Sequence, residues 1–223
     1  MDHFKFERET IPVAMSLYER YMAKYQCDDR HRCQLIAVTA LYIALKVHEK
    51  RRKDTLSFFC ELSSGCFTEQ HIAAMEIEML MGLNWLVNPP TPQAFLYLFT
   101  RLLAPLLPAK VRSVACHRIY EVSNFICEVS LLQNNIRGQN ASTIATASFF
   151  IAIAGVHDSL LNSRWRSDII ADVLALCIST DSSTINYVSI LMKANLVDSG
   201  EGQLSLQDIC ERLDANEEVY ASQ

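Results

Sequence analysis

The sequence predicts an all-α fold built as two tandem helical units. Three observations carry that reading. Apolar residues recur at helical rather than alternating spacing along most of the chain. Glycine and proline number only six each among 223 residues, which favours long elements joined by short connections. The densest proline cluster, "NPPTPQAF" at 88–95, separates two halves in which a similar pair of helices recurs.

Each element follows from local signals. Residues 9–25 read as a helix, because Val13, Leu17, Tyr21 and Tyr25 recur at i, i+4. Pro12 falls in its first turn, where a missing N–H costs nothing. "DDRHR" then breaks the pattern. Residues 32–48 form a strongly apolar helix and 55–62 a short one. The next spans 68–84, with Thr68 as N-cap, Glu69 against the positive end of the helix dipole, and Met75, Met79, Leu80 and Leu83 as its apolar stripe. Two prolines stop the chain there, and Thr91 with Pro92 opens the following helix. Further helices are expected over 91–103, 109–129, 140–156, 166–176 and 182–195. The polar, acidic segment from 198 to 223 is expected to be mobile or weakly helical. The resulting domains are 1–90 and 91–197, followed by that tail.

Composition narrows the function classes. Half of the residues are hydrophobic and 20% are charged, a globular balance. The net charge of −5 argues against a protein that coats nucleic acid. The single basic run, "EKRRK" at 49–53, reads as a solvated loop after a helix. Eight cysteines include no CxxC pair and no zinc-finger spacing with histidine, so reduced thiols in an intracellular protein are expected, with no metal and no cofactor. The opening "MDHFKFERE" is charged and unlike a signal peptide. The apolar run "ASTIATASFFIAIAGV", 141–156, falls short of the roughly 18 residues that suggest a membrane span and reads as a buried core helix. No phosphate loop, nucleophile elbow or metal-ligand cluster is present, so no catalytic residue is assigned and an enzyme is not expected. "GEG" at 200–202 is too short for a phosphate loop, and "NAS" at 140–142 reads as a helix N-cap.

The two halves share an order of motifs. "AMSLYERYM" (14–22) precedes "AVTALYIAL" (37–45), and "CHRIYEVSNFI" (116–126) precedes "ATASFFIAI" (145–153). In both, the small-residue helix is the natural centre, because small side chains let several neighbours approach closely. Superposing the two Ala-rich runs places Ala154 where Lys46 stands, so the second unit has the scaffold without the charge.

With these motifs in place, "ETIPVAMSLYERYM", "RCQLIAVTALYIALKVHE", "FTEQHIAAMEIEMLMGLNWLV" and "PTPQAFLYLF" together resemble the cyclin box. "EVSLL…NNIRGQNASTIATASFFIAIA" more loosely resembles the second cyclin fold, so the likeness covers about 9–196. It implies two tandem cyclin-like domains of the five-helix type, the first lacking its first helix. It implies a non-catalytic regulatory subunit in cell-cycle control that docks on the C-helix of a cyclin-dependent protein kinase and activates or targets it. The family's lysine and glutamate at the docking groove fall on Lys46 and Glu76. Its apolar groove lining falls on Ile43, Val47, Leu80, Trp85 and Val87. No direct nucleic-acid contact and no membrane are expected, no homo-oligomer is required, and the expected location is the nucleus and/or cytoplasm.

The chain also departs from the family. No counterpart of the first cyclin-box helix precedes Glu9, so no substrate-recruiting patch is assigned; a fragment, or a partner covering the gap, would account for it. Where the family often has Lys-aromatic-Glu-Glu, this chain has Lys46-Val47-His48-Glu49, a change that bears on which kinase is held. No destruction box is evident, and "RCQL" at 32–35 lies inside an expected core helix. The alternative function is a cyclin-fold scaffold or transcription-related adaptor that does not activate a kinase.

Overall fold

The computed structural model describes residues 7–49, 56–133, 135–136, 138–157, 161–176 and 182–198. The expected acidic tail, Cys177, Cys210, "GEG" and most of the basic run after Glu49 lie outside the described residues. The chain divides into two compact units, Met1–Thr91 and Pro92–Gln223. Among the described residues the secondary structure is all helical.

Unit 1 contains α1 (Thr10–Tyr25), α2 (Arg30–His48), α3 (Leu56–Leu62) and α4 (Glu69–Gly82). The caps explain the boundaries. Asp29 lies in extended backbone and accepts the N–H of His31 at 3.0 Å, so "DDRHR" starts α2 as well as ending α1. Thr68 and His71 form a reciprocal box: the Thr68 hydroxyl accepts the His71 N–H, and His71 Nδ1 accepts the Thr68 N–H. The hub is α2, which packs against α1, α3 and α4. Its Ala40 and Ala44 are fully buried, which is how one helix accommodates three neighbours. Val13, Leu17 and Tyr21 of α1 meet Ile36 and Ile43 of α2 and Met75, Met79 and Leu83 of α4 in one core. Tyr25 differs from its expected place in the stripe. Its ring stacks on Tyr21 at 4.7 Å but stays half exposed.

The helix α1 lacks a local cap, because Glu9 makes no side-chain cap bond. A carboxylate nevertheless stands at this end of the helix, that of Glu49 just past the end of α2. Its Oε1 accepts the Glu7 N–H at 3.0 Å and the Thr10 hydroxyl at 2.9 Å. An anion at this end complements the α1 dipole.

Unit 2 contains α5 (Pro92–Leu103), a 3₁₀ turn (Ala104–Leu106), α6 (Ala109–Ser130), α7 (Ala141–Gly155), α8 (Ser163–Leu176) and α9 (Ser182–Asp198). Here α7 is the hub and packs against α5, α6, α8 and α9. Ala145, Ala147 and Ala152 are fully buried, and Phe149 stacks against Phe99 at 5.5 Å. Two expectations shift. Asn140 takes the N-cap position of α7, yet its side chain makes no cap bond. The helix α8 begins at Ser163 rather than 166, because Asn162 Oδ1 accepts the Trp165 N–H at 2.9 Å. Arg166 donates to the carbonyls of Ala154, Val156 and Leu161, placing a cation at the C-terminal end of α7.

Candidate functional site

The resemblance pointed to residues at the ends of α2 and α4, and the structure brings two of them into contact. Lys46, in the last turn of α2, donates to Glu76 Oε1 at 2.6 Å. The carboxylate side chain is mostly covered, 15% exposed, whereas the lysine side chain is 51% exposed. The ammonium also lies 4.9 Å from the centroid of the Tyr42 ring, one turn earlier on α2. Burial acts to lower the Lys46 pKa. The hydrogen bond and charge of Glu76, with a smaller contribution from Tyr42, outweigh it and hold the ammonium above its ordinary range.

The apolar residues divide three ways. Ile43 is only 2% exposed and belongs to the unit 1 core, so it supports the site from below. Val47, Leu80 and Val87 are partly buried against that same core. Trp85 is 68% exposed. Its exposure follows from the end of α4. Asn84 and Trp85 both have positive φ, 53° and 61°, and the Trp85 N–H closes a tight turn onto the Leu80 carbonyl at 2.8 Å. Asparagine tolerates the left-handed region; a bulky aromatic rarely occupies it. Such strain persists only where surrounding contacts fix it. Those contacts come from α1, where Lys24 donates to the Gly82 carbonyl at 2.8 Å and Arg20 donates to the Leu86 carbonyl.

Several residues were not anticipated. Glu78, two positions beyond Glu76, accepts from both Tyr21 of α1 and Arg32 of α2. Tyr21 is pushed up to about 12, first by burial and then by Glu78, with Arg32 opposing. The helices α2 and α4 are thus joined by two ion pairs, Arg32 with Glu78 and Lys46 with Glu76. Gly82 lets α4 close onto α1: an added Cβ would lie 2.8 Å from the Tyr25 ring and 3.0 Å from the Tyr21 ring. Ile77, Met81 and Leu86 leave large apolar side chains exposed beside Leu80 and Trp85. The i, i+4 spacing of Ile77 and Met81 was available in the sequence as a second stripe on α4.

A mostly covered carboxylate, a half-exposed ammonium and a neighbouring apolar surface make a surface suited to binding polypeptide. Proteins already known share this arrangement of chain. Residues 1–88 match the family model for the cyclin N-terminal domain. The first unit of the chain carries a cyclin N-terminal domain. The chain is 29% identical over 150 residues to the G2/mitotic-specific cyclin-B3 of Mus musculus, covering 67% of this chain and 10% of that protein. It is 32% identical over 99 residues to the G1/S-specific cyclin-E1 of Gallus gallus, covering 44% of this chain and 24% of that protein. It therefore spans far less than half the length of either relative. The fold is that of a viral cyclin from herpesvirus saimiri, with a TM-score of 0.67 at 20% identity over 88% of this chain and 79% of the viral one.

Among the described residues, no group of three or more His, Cys, Asp or Glu is placed to hold a metal ion. No described helix is long and apolar enough to cross a membrane. The thiols of Cys27, Cys33, Cys60, Cys66, Cys116 and Cys127 are free. Cys127 is buried, donates to Ser148 at 3.2 Å, and is pushed up to about 12 by that burial.

Proposed function

We propose that this chain is a cyclin, a non-catalytic subunit that docks on the C-helix of a cyclin-dependent protein kinase and activates or targets it in cell-cycle control. The observation that carries the reading is the Lys46–Glu76 pair, held at 2.6 Å where the C-terminal turn of α2 reaches the surface. Val47, Leu80, Val87 and the exposed Trp85 supply apolar surface for a helix laid across the same edge. Within a bound complex the pair is desolvated, and each member alone would be left as an uncompensated charge. The cyclin contributes no catalytic group, acts in the nucleus or cytoplasm, and needs neither nucleic acid, membrane nor a second copy of itself.

The test is co-purification of a cyclin-dependent kinase with the parent chain, with Lys46→Ala and with Glu76→Ala. Far-UV circular dichroism establishes that each variant is folded. The expected result is a loss of affinity of at least about 30-fold for each variant, the equivalent of about 2 kcal/mol. Parent-like binding by both variants would refute the assignment. A kinase assay on the bound fraction then separates activation from docking. A bound but silent kinase would favour the scaffold reading.

A further inference from the structure

Unit 2 carries a surface feature that kinase docking through unit 1 does not use. A cavity of about 330 Å³ opens between the end of α5 and α8. Leu102, Leu103 and Leu106 line one side, and Ile169, Asp172 and Val173 the other. The floor is dry and fixed, because Leu103, Ile169 and Val173 are buried. The rim is open: Leu102 and Leu106 are 48% and 45% exposed. Leu98, one turn before Leu102, is exposed as well, so an apolar stripe leads along α5 into the cavity. Exposed leucines scattered singly need no explanation, but a stripe ending in a cavity at the small end of the ligand-site range, about 300–1,000 Å³, does.

The charge at this mouth selects the occupant. Asp172 is exposed on the rim, and among the described residues its carboxylate has neither an ion-pair nor a hydrogen-bond partner. Asp168, one turn earlier on α8, is exposed and equally unpartnered. Of the nearby cations, Arg112 donates to the Leu107 carbonyl, and Arg164 is exposed on α8 one turn before Asp168 and two before Asp172. Arg101 donates to the Tyr97 hydroxyl at 3.0 Å and lies over its ring, and Arg166 is held by the carbonyls at the end of α7. An anionic lipid headgroup would be repelled by this pair of carboxylates. A second copy of the chain, at net charge −5, would bring acidic surface to acidic surface. A cationic polypeptide meets complementary charge beside an apolar seat.

The geometry points to a docking site on unit 2 for a basic linear segment of another protein, with one bulky apolar side chain seated between α5 and α8 and a neighbouring Lys or Arg paired to Asp172. The site lies within one unit and stands whether or not a kinase binds unit 1.

The experiment titrates the full chain, uniformly labelled with ¹⁵N, with acetyl-Gly-Lys-Ala-Ile-Ala-Lys-Gly-amide. Two controls carry Glu in place of both lysines, or Ser in place of the isoleucine. The expected result is amide shift changes confined to the 98–106 and 169–175 stretches. The basic peptide should bind about three- to fivefold more tightly than the acidic one at low salt, and the Ser peptide should bind more weakly than either apolar one. Asp172→Asn should abolish the charge preference, and Leu106→Glu, or Leu102→Glu should the first variant not fold, should abolish binding. Absence of shifts, shifts elsewhere, or equal affinity for basic and acidic peptides would overturn the proposal, and the last comparison needs no variant. A concentration-dependent dimer in sedimentation that Leu106→Glu abolishes would assign the face to a second copy and overturn it too.

Discussion

Glu49 accepts the hydroxyl proton of Thr10 at 2.9 Å across 39 positions of sequence. One carboxylate past the end of α2 therefore stands at the start of α1, bonded to the Thr10 hydroxyl and the Glu7 N–H rather than to the N–H groups of the first turn. Replacing it with glutamine keeps an acceptor oxygen but removes the charge from the dipole; replacing it with alanine leaves the Thr10 hydroxyl unpaired in a buried place. Glu49→Ala is expected to destabilise unit 1 by about 1–3 kcal/mol and Glu49→Gln by less. Urea unfolding of the two variants beside the parent measures both values, and equal loss would show that the charge, not the acceptor oxygen, carries the effect.

The Lys46–Glu76 pair should matter little to folding. One member is half exposed, so its contribution to stability is about 0–1 kcal/mol. The reversed pair, Lys46→Glu with Glu76→Lys, should unfold at nearly the parent denaturant midpoint and still fail to hold the proposed kinase. Rescue of kinase binding by the reversed pair would mean that the partner does not read the charges individually.

Gly82 is expected to resist enlargement. Gly82→Ala gains helix propensity of up to about 1 kcal/mol, yet its Cβ meets the Tyr21 ring, which is buried and tied to Glu78. Overpacking of this kind costs about 1–3 kcal/mol, so the variant should be destabilised by about 1 kcal/mol net. Adding Tyr25→Ala, which clears the nearer ring, should recover part of the loss in a thermal melt.

Alkaline pH should loosen the contact between α1 and α4. Tyr21 titrates at about 12 in the fold against an ordinary value of 10, so its protonated form is favoured by folding. That stability is fully present below pH 10 and is lost as pH rises from 10 through 12. The melting temperature of the parent should fall across this window, and Tyr21→Phe should flatten the fall. An unchanged profile in Tyr21→Phe would assign the alkaline sensitivity to other groups.

Much of this architecture was legible because it is local. Thr68 followed by Glu69 marks the start of α4, and the two proline positions before Thr91 mark the start of unit 2. Asn162 is of a type that marks a helix start, and it caps α8 three residues before the Trp165 N–H it accepts. The features that escaped are those made by distant partners. Neither Glu49 nor Glu78 carries a sign of its role, since their contacts lie 39 and 46–57 positions away. Lys46 and Glu76 were assigned by family likeness, which spacing alone would not supply. The exposure of Trp85 follows from two left-handed residues, and only Asn84 is of a type that signals them.

The two ion pairs between α2 and α4 have a kinetic consequence. Arg32 and Lys46 stand near opposite ends of α2, so a turn of that helix about its axis would break these pairs and also uncover Ile36, Ala40, Ile43 and Ala44 of the core between them. The surface between them is set before any partner arrives. Association at that face should proceed as a single concentration-linear phase, without the slow isomerisation of a surface that must first reorganise.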